Sequence, residues 1–217
     1  MLKLISATPS PYARKVRIAL AEKGIPFELM TEIPWESTTQ TPLYNPLQKL
    51  PVLIFPDGKA IYESHYILEY LETKYPGSPL LPKGADKIDD ALFAKQVEVV
   101  ADGICDALVL SFFEAQRGEE KRSEEWMARQ RRKVDGGLRA LAEWFGDDDQ
   151  KEYLVNGSFG LADIAAGSCL GYIKVRSPEH PWRKLYPHLN RYSERLEERM
   201  SFQDTVPKPQ SFSEKIA

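Results

Sequence analysis

The sequence predicts two folded units in series: an α/β unit built on a small mixed sheet, then an all-helical one. Three observations carry this expectation. Residues 2–75 give a strand–helix–strand order and then, after a long connection, a hairpin and a helix. A Pro/Gly-rich stretch at 76–87 interrupts every periodicity. Beyond it, apolar residues recur only at helical spacing. The boundaries that follow are 1–77 for the α/β unit, 78–87 for a linker and 88–217 for the helical unit.

In the first unit, Leu2–Ser6 is a short apolar run of strand character, broken by Thr8-Pro9-Ser10-Pro11. Ala13–Lys23 carries Val16, Ala19 and Leu20 at helical spacing, and Gly24 ends it. Pro26–Met30 reads as the second strand. Residues 31–49 hold Pro34, Pro42, Asn45 and Pro46 with little periodicity, giving a loop with room for a short helix. Val52–Phe55 is a third strand, Asp57-Gly58 a hairpin signal and Ala60–Tyr62 the returning strand. Ser64–Tyr75 is helical, with Ile67, Leu68 and Leu71 on one face. A βαβ order followed by ββα requires a mixed sheet.

In the second unit, Ile88–Gln116 places Leu92, Val99, Val100, Ile104, Ala107, Leu108 and Phe112 on one stripe. Ser123–Phe145 repeats the pattern with Trp126, Val134, Leu138, Leu141 and Phe145. Leu161–Val175 is almost wholly apolar, as a buried central helix is. Leu189–Met200 is a last amphipathic helix, and the tail from Pro207 carries no pattern.

Composition narrows the function classes. With 29 basic and 32 acidic side chains the formal charge is −3, which does not suit a nucleic-acid or membrane-surface protein. Hydrophobic residues at 42% support a sizeable core. No signal peptide is read at the N-terminus, and no run reaches the roughly 20 apolar residues that span a bilayer. The cysteines, Cys105 and Cys169, and the histidines, His65, His180 and His188, show no metal spacing. A reducing, cytoplasmic setting without a metal is the expectation. Arg129–Lys133 reads as a solvated helix face following the acids at 119–125.

Three junctions of the α/β unit can carry chemistry. Ser10 stands where the first helix starts, beside free N–H groups and the positive end of a helix dipole. It reads either as an N-cap or as a hydroxyl donor to a thiolate. Lowering a free thiol by about two units from about 8.5 takes roughly 2.7 kcal/mol of preferential thiolate stabilisation, within reach of one charge-assisted hydrogen bond and a helix terminus. Leu50-Pro51-Val52 opens a strand. It is either an ordinary trans proline or a cis one that turns the Leu50 backbone outward as a pairing edge. Glu63-Ser64 lies at a strand-to-helix junction. There Ser64 reads as the cap, able to hold a carboxylate, and Glu63 as a partner for an ammonium or as a solvated acid.

The joint order of these elements resembles that of bacterial glutathione transferases. The resemblance is carried by Ser10-Pro11-Tyr12-Ala13-Arg14-Lys15-Val16-Arg17, Asn45-Pro46-Leu47-Gln48-Lys49-Leu50-Pro51-Val52-Leu53, Tyr62-Glu63-Ser64, Ile67-Leu68-Glu69-Tyr70-Leu71 and Leu161-Ala162-Asp163-Ile164. It implies a thioredoxin-like N-terminal domain and a homodimer that binds reduced glutathione and a small hydrophobic electrophile. By the same resemblance Ser10 activates the thiol, Leu50 pairs its backbone with the cysteinyl residue beside a cis Pro51, and Glu63 and Ser64 take the γ-glutamyl end. Asp163 matches a helix-capping aspartate. Lys49, Trp35 and Thr39 are candidates for the glycyl end. Tyr12, Asp106, Leu108 and Tyr172 are candidates to line an electrophile pocket, with core packing the competing reading for the apolar ones. Asp102 is a candidate to reach the glutathione amine across a dimer interface.

Two departures stand out. Gly160 occupies the cap position where that family carries Ser or Thr, with Ser158 a possible substitute. Gln48 stands where a glycine is common. The implied activity is conjugation of glutathione to an electrophile. The alternatives are a non-catalytic adaptor of the same fold, or a glutathione-dependent peroxidase, isomerase or dehalogenase.

Overall fold

The computed structural model describes residues 1–148 and 150–211. These residues form two compact units: Met1–Leu80 together with the described residues from Met200 on, and Leu81–Arg199.

The first unit contains β1 (Leu2–Ser6), α1 (Pro11–Glu22), β2 (Phe27–Thr31), α2 (Thr41–Tyr44), β3 (Val52–Ile54), β4 (Ala60–Tyr62) and α3 (Ser64–Lys74). The strands lie in the order β2-β1-β3-β4, with β2 parallel to β1 and the other pairings antiparallel. β1 is interior, and Leu4 and Ile5, which point to opposite faces, are both fully buried. Ile5, Val52 and Ile54 form a core on one face with Met30, Tyr44 and Tyr62 against it. α1 and α3 pack together, and Val16, Leu20, Ile67 and Leu71 are inaccessible to solvent. Each such side chain contributes about 1.5–3 kcal/mol of burial.

α1 ends where the sequence predicts. Gly24 takes φ +64°, and Ile25 N–H donates to Leu20 C=O at 2.9 Å, satisfying a carbonyl of the last turn. The Lys23 ammonium, itself buried, then ties this end to α3 through Glu72 at 2.8 Å and the carbonyls of Tyr75 and Ser78.

The second unit contains α4 (Ile88–Gln116), α5 (Glu124–Phe145), α6 (Leu161–Arg176), α7 (Trp182–Leu185) and α8 (Pro187–Glu197), with short 3₁₀ turns at Ala85–Lys87 and Glu119–Lys121. α6 is the centre: Leu161 through Ile173 are all buried, and α4 and α8 pack on it. α4 and α5 approach closely at Gly137, where an added Cβ would stand 2.4 Å from Ile104 Cγ1. The predicted stripe of α4 is corrected at two positions, since Leu92 and Val99 are 59% and 62% exposed. The face α4 buries is set by small residues, Ala94, Ala101 and Ala107, with Val97, Ile104 and Leu108. A stripe drawn through the largest apolar side chains therefore misses it.

Asp163 organises the start of α6. Its Oδ2 accepts from Gly160 N–H at 3.0 Å, and its Oδ1 from Leu154 N–H at 2.9 Å and from the Tyr192 hydroxyl at 2.7 Å. Gly160 has no side chain to complete a capping box. Ser158 does not replace it, because its hydroxyl turns to Asn156 C=O. Burial lifts the Asp163 carboxyl to about 6 against the opposing pull of these three donors.

The C-terminal segment departs from the reading that placed all of 88–217 in the helical domain. α9 (Met200–Gln203) and the residues after it join the first unit. The physical reason is Arg14. Its buried guanidinium donates to Phe202 C=O at 3.2 Å and to Thr205 Oγ1 at 3.3 Å, and lies 5.1 Å from the centre of the Phe202 ring. Of the tail from Pro207, residues 212–217 lie outside the described residues.

Candidate active site

The strand register gathers the three junctions. Ile5 of β1 faces Val52 of β3, and Val52 faces Tyr62 of β4. The end of β1, the start of β3 and the end of β4 therefore meet at one end of the sheet. The loop to Ser10, the Leu50-Pro51 step and the Glu63-Ser64 junction all leave from there. Thr31 faces Ser6 at the same end, so the loop carrying Trp35 starts there too.

Ser10 serves as the N-cap of α1, with φ −65° and ψ 117°, and its Oγ accepts from Ala13 N–H at 3.2 Å. Pro11, at the first helical position, has no N–H to offer. The cap role and the donor role are compatible. The cap uses a lone pair of the hydroxyl oxygen, which leaves its proton to donate to an incoming anion at the positive end of the helix.

The Leu50–Pro51 bond is cis. The loop before it is shaped by Asn45, a buried amide. Asn45 Nδ2 donates to Lys49 C=O at 2.6 Å and its Oδ1 accepts from Leu47 N–H at 2.9 Å, closing an Asx-type turn over Pro46. Within that turn Gln48 takes φ +54°, the left-handed conformation that glycine adopts without strain. Lys49 and Trp35 are exposed on this connection, Trp35 at 42%.

At the third junction the expected cap is corrected. Glu63, not Ser64, is the N-cap of α3: its Oε2 accepts from Tyr66 N–H at 3.3 Å and its Oε1 from the Ser64 hydroxyl at 3.4 Å. Glu63 stands at φ +77°, a conformation costing of order 1–3 kcal/mol in a non-glycine residue. Ser64 is buried beside it, with its backbone N–H at the helix start.

Glu32 is a residue that sequence reasoning missed. Its Oε2 accepts from the Thr39 hydroxyl at 2.5 Å, Gln40 N–H at 3.0 Å, Thr41 N–H at 3.2 Å and the Thr41 hydroxyl at 3.0 Å. It caps α2 from a distance and occupies the Thr39 hydroxyl that the sequence offers to a glycyl carboxylate. No local pattern marks it. Asn45 carries a signal, the Asn-Pro step, which reads only as a turn. Tyr12 is half-buried in the first turn of α1, and Asp106 is exposed on α4 in the second unit.

A serine hydroxyl at a helix start, a cis-proline step and an acid–serine helix start at one end of a four-stranded mixed sheet, in a chain that continues as a helical unit, define a thioredoxin-like protein with an all-helical extension. Comparison with known proteins gives the family. The model of the glutathione S-transferase N-terminal domain matches residues 9–74, and that of the glutathione S-transferase C-terminal domain matches residues 124–195. An uncharacterized GST-like protein of Escherichia coli K12, YibF, is 35% identical over 95% of this chain and 98% of its own length. A glutathione S-transferase of Methylobacterium radiotolerans, solved in complex with glutathione sulfonate, superposes with a TM-score of 0.94 at 56% identity over 100% and 99% of the two chains. Another, from Methylobacillus flagellatus with GSH bound, gives 0.88 at 36% identity over 96% and 100%. The chain belongs to the glutathione S-transferase family. No helix among the described residues is long and apolar enough to cross a membrane.

Proposed function

We propose that this protein is a glutathione transferase, which holds reduced glutathione as its thiolate and reacts it with a small hydrophobic electrophile in the cytoplasm. The observation that carries the reading is the Ser10 hydroxyl, seated at the N-terminus of α1 at the sheet end shared by Leu50-Pro51 and Glu63-Ser64. Solved relatives with glutathione sulfonate or GSH bound support the choice of ligand.

In this reading the Leu50 backbone pairs with the cysteinyl residue as one strand pairs with another. The Glu63 carboxylate takes the γ-glutamyl ammonium, and the Ser64 N–H takes its carboxylate, joined by the Ser64 hydroxyl when it turns from Glu63. Lys49 and Trp35 attend the glycyl end. With the peptide held on both sides, its sulfur lies before Ser10, whose hydroxyl donates to the thiolate while the α1 dipole adds to the field. Catalysis is thiolate stabilisation and positioning. The thiolate attacks the electrophile, a carbon–sulfur bond forms, and Ser10 is never covalently modified. Tyr12, in the first turn of α1, is assigned to the electrophile.

The assembly proposed is a homodimer. Ile88, Leu92 and Val99 of α4 stand 58%, 59% and 62% exposed, an apolar set suited to cover by a second copy. Sedimentation as a monomer at micromolar concentration would overturn it. The glutathione site is tested by calorimetric titration with reduced glutathione, alongside Ser64→Ala. Saturable binding that weakens in the variant is the expected result. No heat up to millimolar ligand removes the transferase reading.

A further inference from the structure

We propose that the segment Thr205–Gln210 is a strap that sets two loops of the glutathione site, and that Thr8 and Gln210 are positioning residues for it. The inference rests on the functional reading above and adds a determinant almost 200 residues away in sequence from Ser10.

The strap is anchored on α1. Arg14 holds Phe202 C=O and the Thr205 hydroxyl oxygen, and Arg17 donates to Asp204 C=O at 2.8 Å. From this anchor the chain runs to the turn before Ser10. That turn is closed by Ser10 N–H donating to Ala7 C=O at 3.1 Å, with Thr8 and Pro9 at its corner. Lys208 grips Thr8 on both sides: Lys208 N–H donates to Thr8 C=O at 3.3 Å, and the Thr8 hydroxyl donates to Lys208 C=O at 3.1 Å. Two residues on, Gln210 Nε2 donates to Glu32 C=O at 3.3 Å. Glu32 is the residue whose carboxylate gathers Thr39, Gln40 and Thr41, and its own N–H donates to Ser6 C=O at 2.8 Å.

One segment thus touches the loop that presents Ser10 and the loop that carries Trp35. The Thr8–Lys208 contact lies at the surface and the Gln210–Glu32 contact is part-buried, so water replaces most of a lost partner and breaking them costs little stability. Their effect falls on geometry. A turn released at Thr8 lets the Ser10 hydroxyl wander from the line of the thiolate, and charge-assisted hydrogen bonds weaken steeply with misalignment. Release at Gln210 loosens the glycyl side without touching the thiol. The two contacts therefore carry different kinetic signatures.

The test uses the full-length chain with Thr8→Ala, Thr8→Ser and Gln210→Ala, and a chain ending at Val206. The readouts are the pKa of bound glutathione's thiol, from its ultraviolet thiolate band, and kcat and KM with an activated aryl halide. Thr8→Ala is expected to raise the thiol pKa by about half a unit to one unit and to lower kcat at neutral pH about three- to tenfold with KM nearly unchanged, and Thr8→Ser to restore both. Gln210→Ala is expected to raise the glutathione KM about threefold and leave the thiol pKa in place. The shortened chain should show both changes. Wild-type values in the shortened chain and in Thr8→Ala overturn the strap's role, as does an equal loss in Thr8→Ala and Thr8→Ser. A wild-type protein that binds no glutathione overturns the strap and the functional reading together.

Discussion

The hydroxyl of Tyr192 donates to Asp163 Oδ1 across 2.7 Å, joining α8 to the start of α6 inside the helical unit. Burial and the neighbouring carboxylate push the Tyr192 hydroxyl well above its ordinary value, so it stays protonated as a donor. Asp163 is raised from 3.8 to about 6, chiefly by desolvation. A carboxyl with a raised folded-state value contributes stability below its unfolded value, and that contribution is lost as pH rises through the folded one. Between pH 4 and pH 7 the wild type should lose about 2–2.5 kcal/mol from this group, a loss absent in Asp163→Asn. Chemical denaturation of both proteins across that range measures it. Tyr192→Phe removes a charge-assisted donor and should cost about 1.5–3 kcal/mol at neutral pH.

Ser10 is asked to cap a helix and to hold a thiolate, and substitution separates the duties. Ser10→Ala should destabilise α1 by about 1 kcal/mol through the lost cap. It should also lower turnover about tenfold to a hundredfold, with the bound thiol titrating higher. Ser10→Asp keeps a cap acceptor yet places an anion against the thiolate, so stability should recover while turnover does not. Recovery of both would assign Ser10 to the fold alone.

Gln48 bears a side chain in the left-handed conformation at φ +54°. Gln48→Gly relieves a steric cost of about 1–2 kcal/mol, partly offset by the greater freedom of glycine in the unfolded chain. A net gain of about 0.5–1 kcal/mol in thermal denaturation is expected, with glutathione affinity kept.

Gly137→Ala would put a methyl group 2.4 Å from Ile104 Cγ1, closer than packed carbons stand. A loss of about 1–3 kcal/mol is expected. Ile104→Val in the same chain should recover part of it, because it removes a methyl from the crowded side chain. Additive losses in the double variant would show that the two positions do not share one packing site.

What was legible in the sequence is what depends on neighbours along the chain. Gly24 marks the end of α1, and the bounds of α4 fall at Ile88 and Gln116, because helical periodicity and stop signals are local. The Ser10, Leu50-Pro51 and Glu63-Ser64 junctions stand out for the same reason. The way a helix start is satisfied is less legible. Ser64 looks like the cap of α3, yet a left-handed backbone lets Glu63 take that place. The 32–41 loop was opaque because its organiser, Glu32, works across seven to nine residues through one carboxylate oxygen. The C-terminal segment was misassigned because its destination is set by Arg14, a buried cation far back in the chain, and no periodicity encodes that pairing.

The register that collects the proposed glutathione contacts at one end of the sheet also clears the other. The turn at Gly24–Pro26 and the Asp57-Gly58 hairpin tip leave from the opposite end, and Asp57 and Gly58 are exposed there. A fluorophore, an affinity handle or a surface tether attached at the 57–58 tip would sit a strand's length from Ser10. That makes this hairpin the natural place to immobilise the protein for binding work without disturbing what it binds.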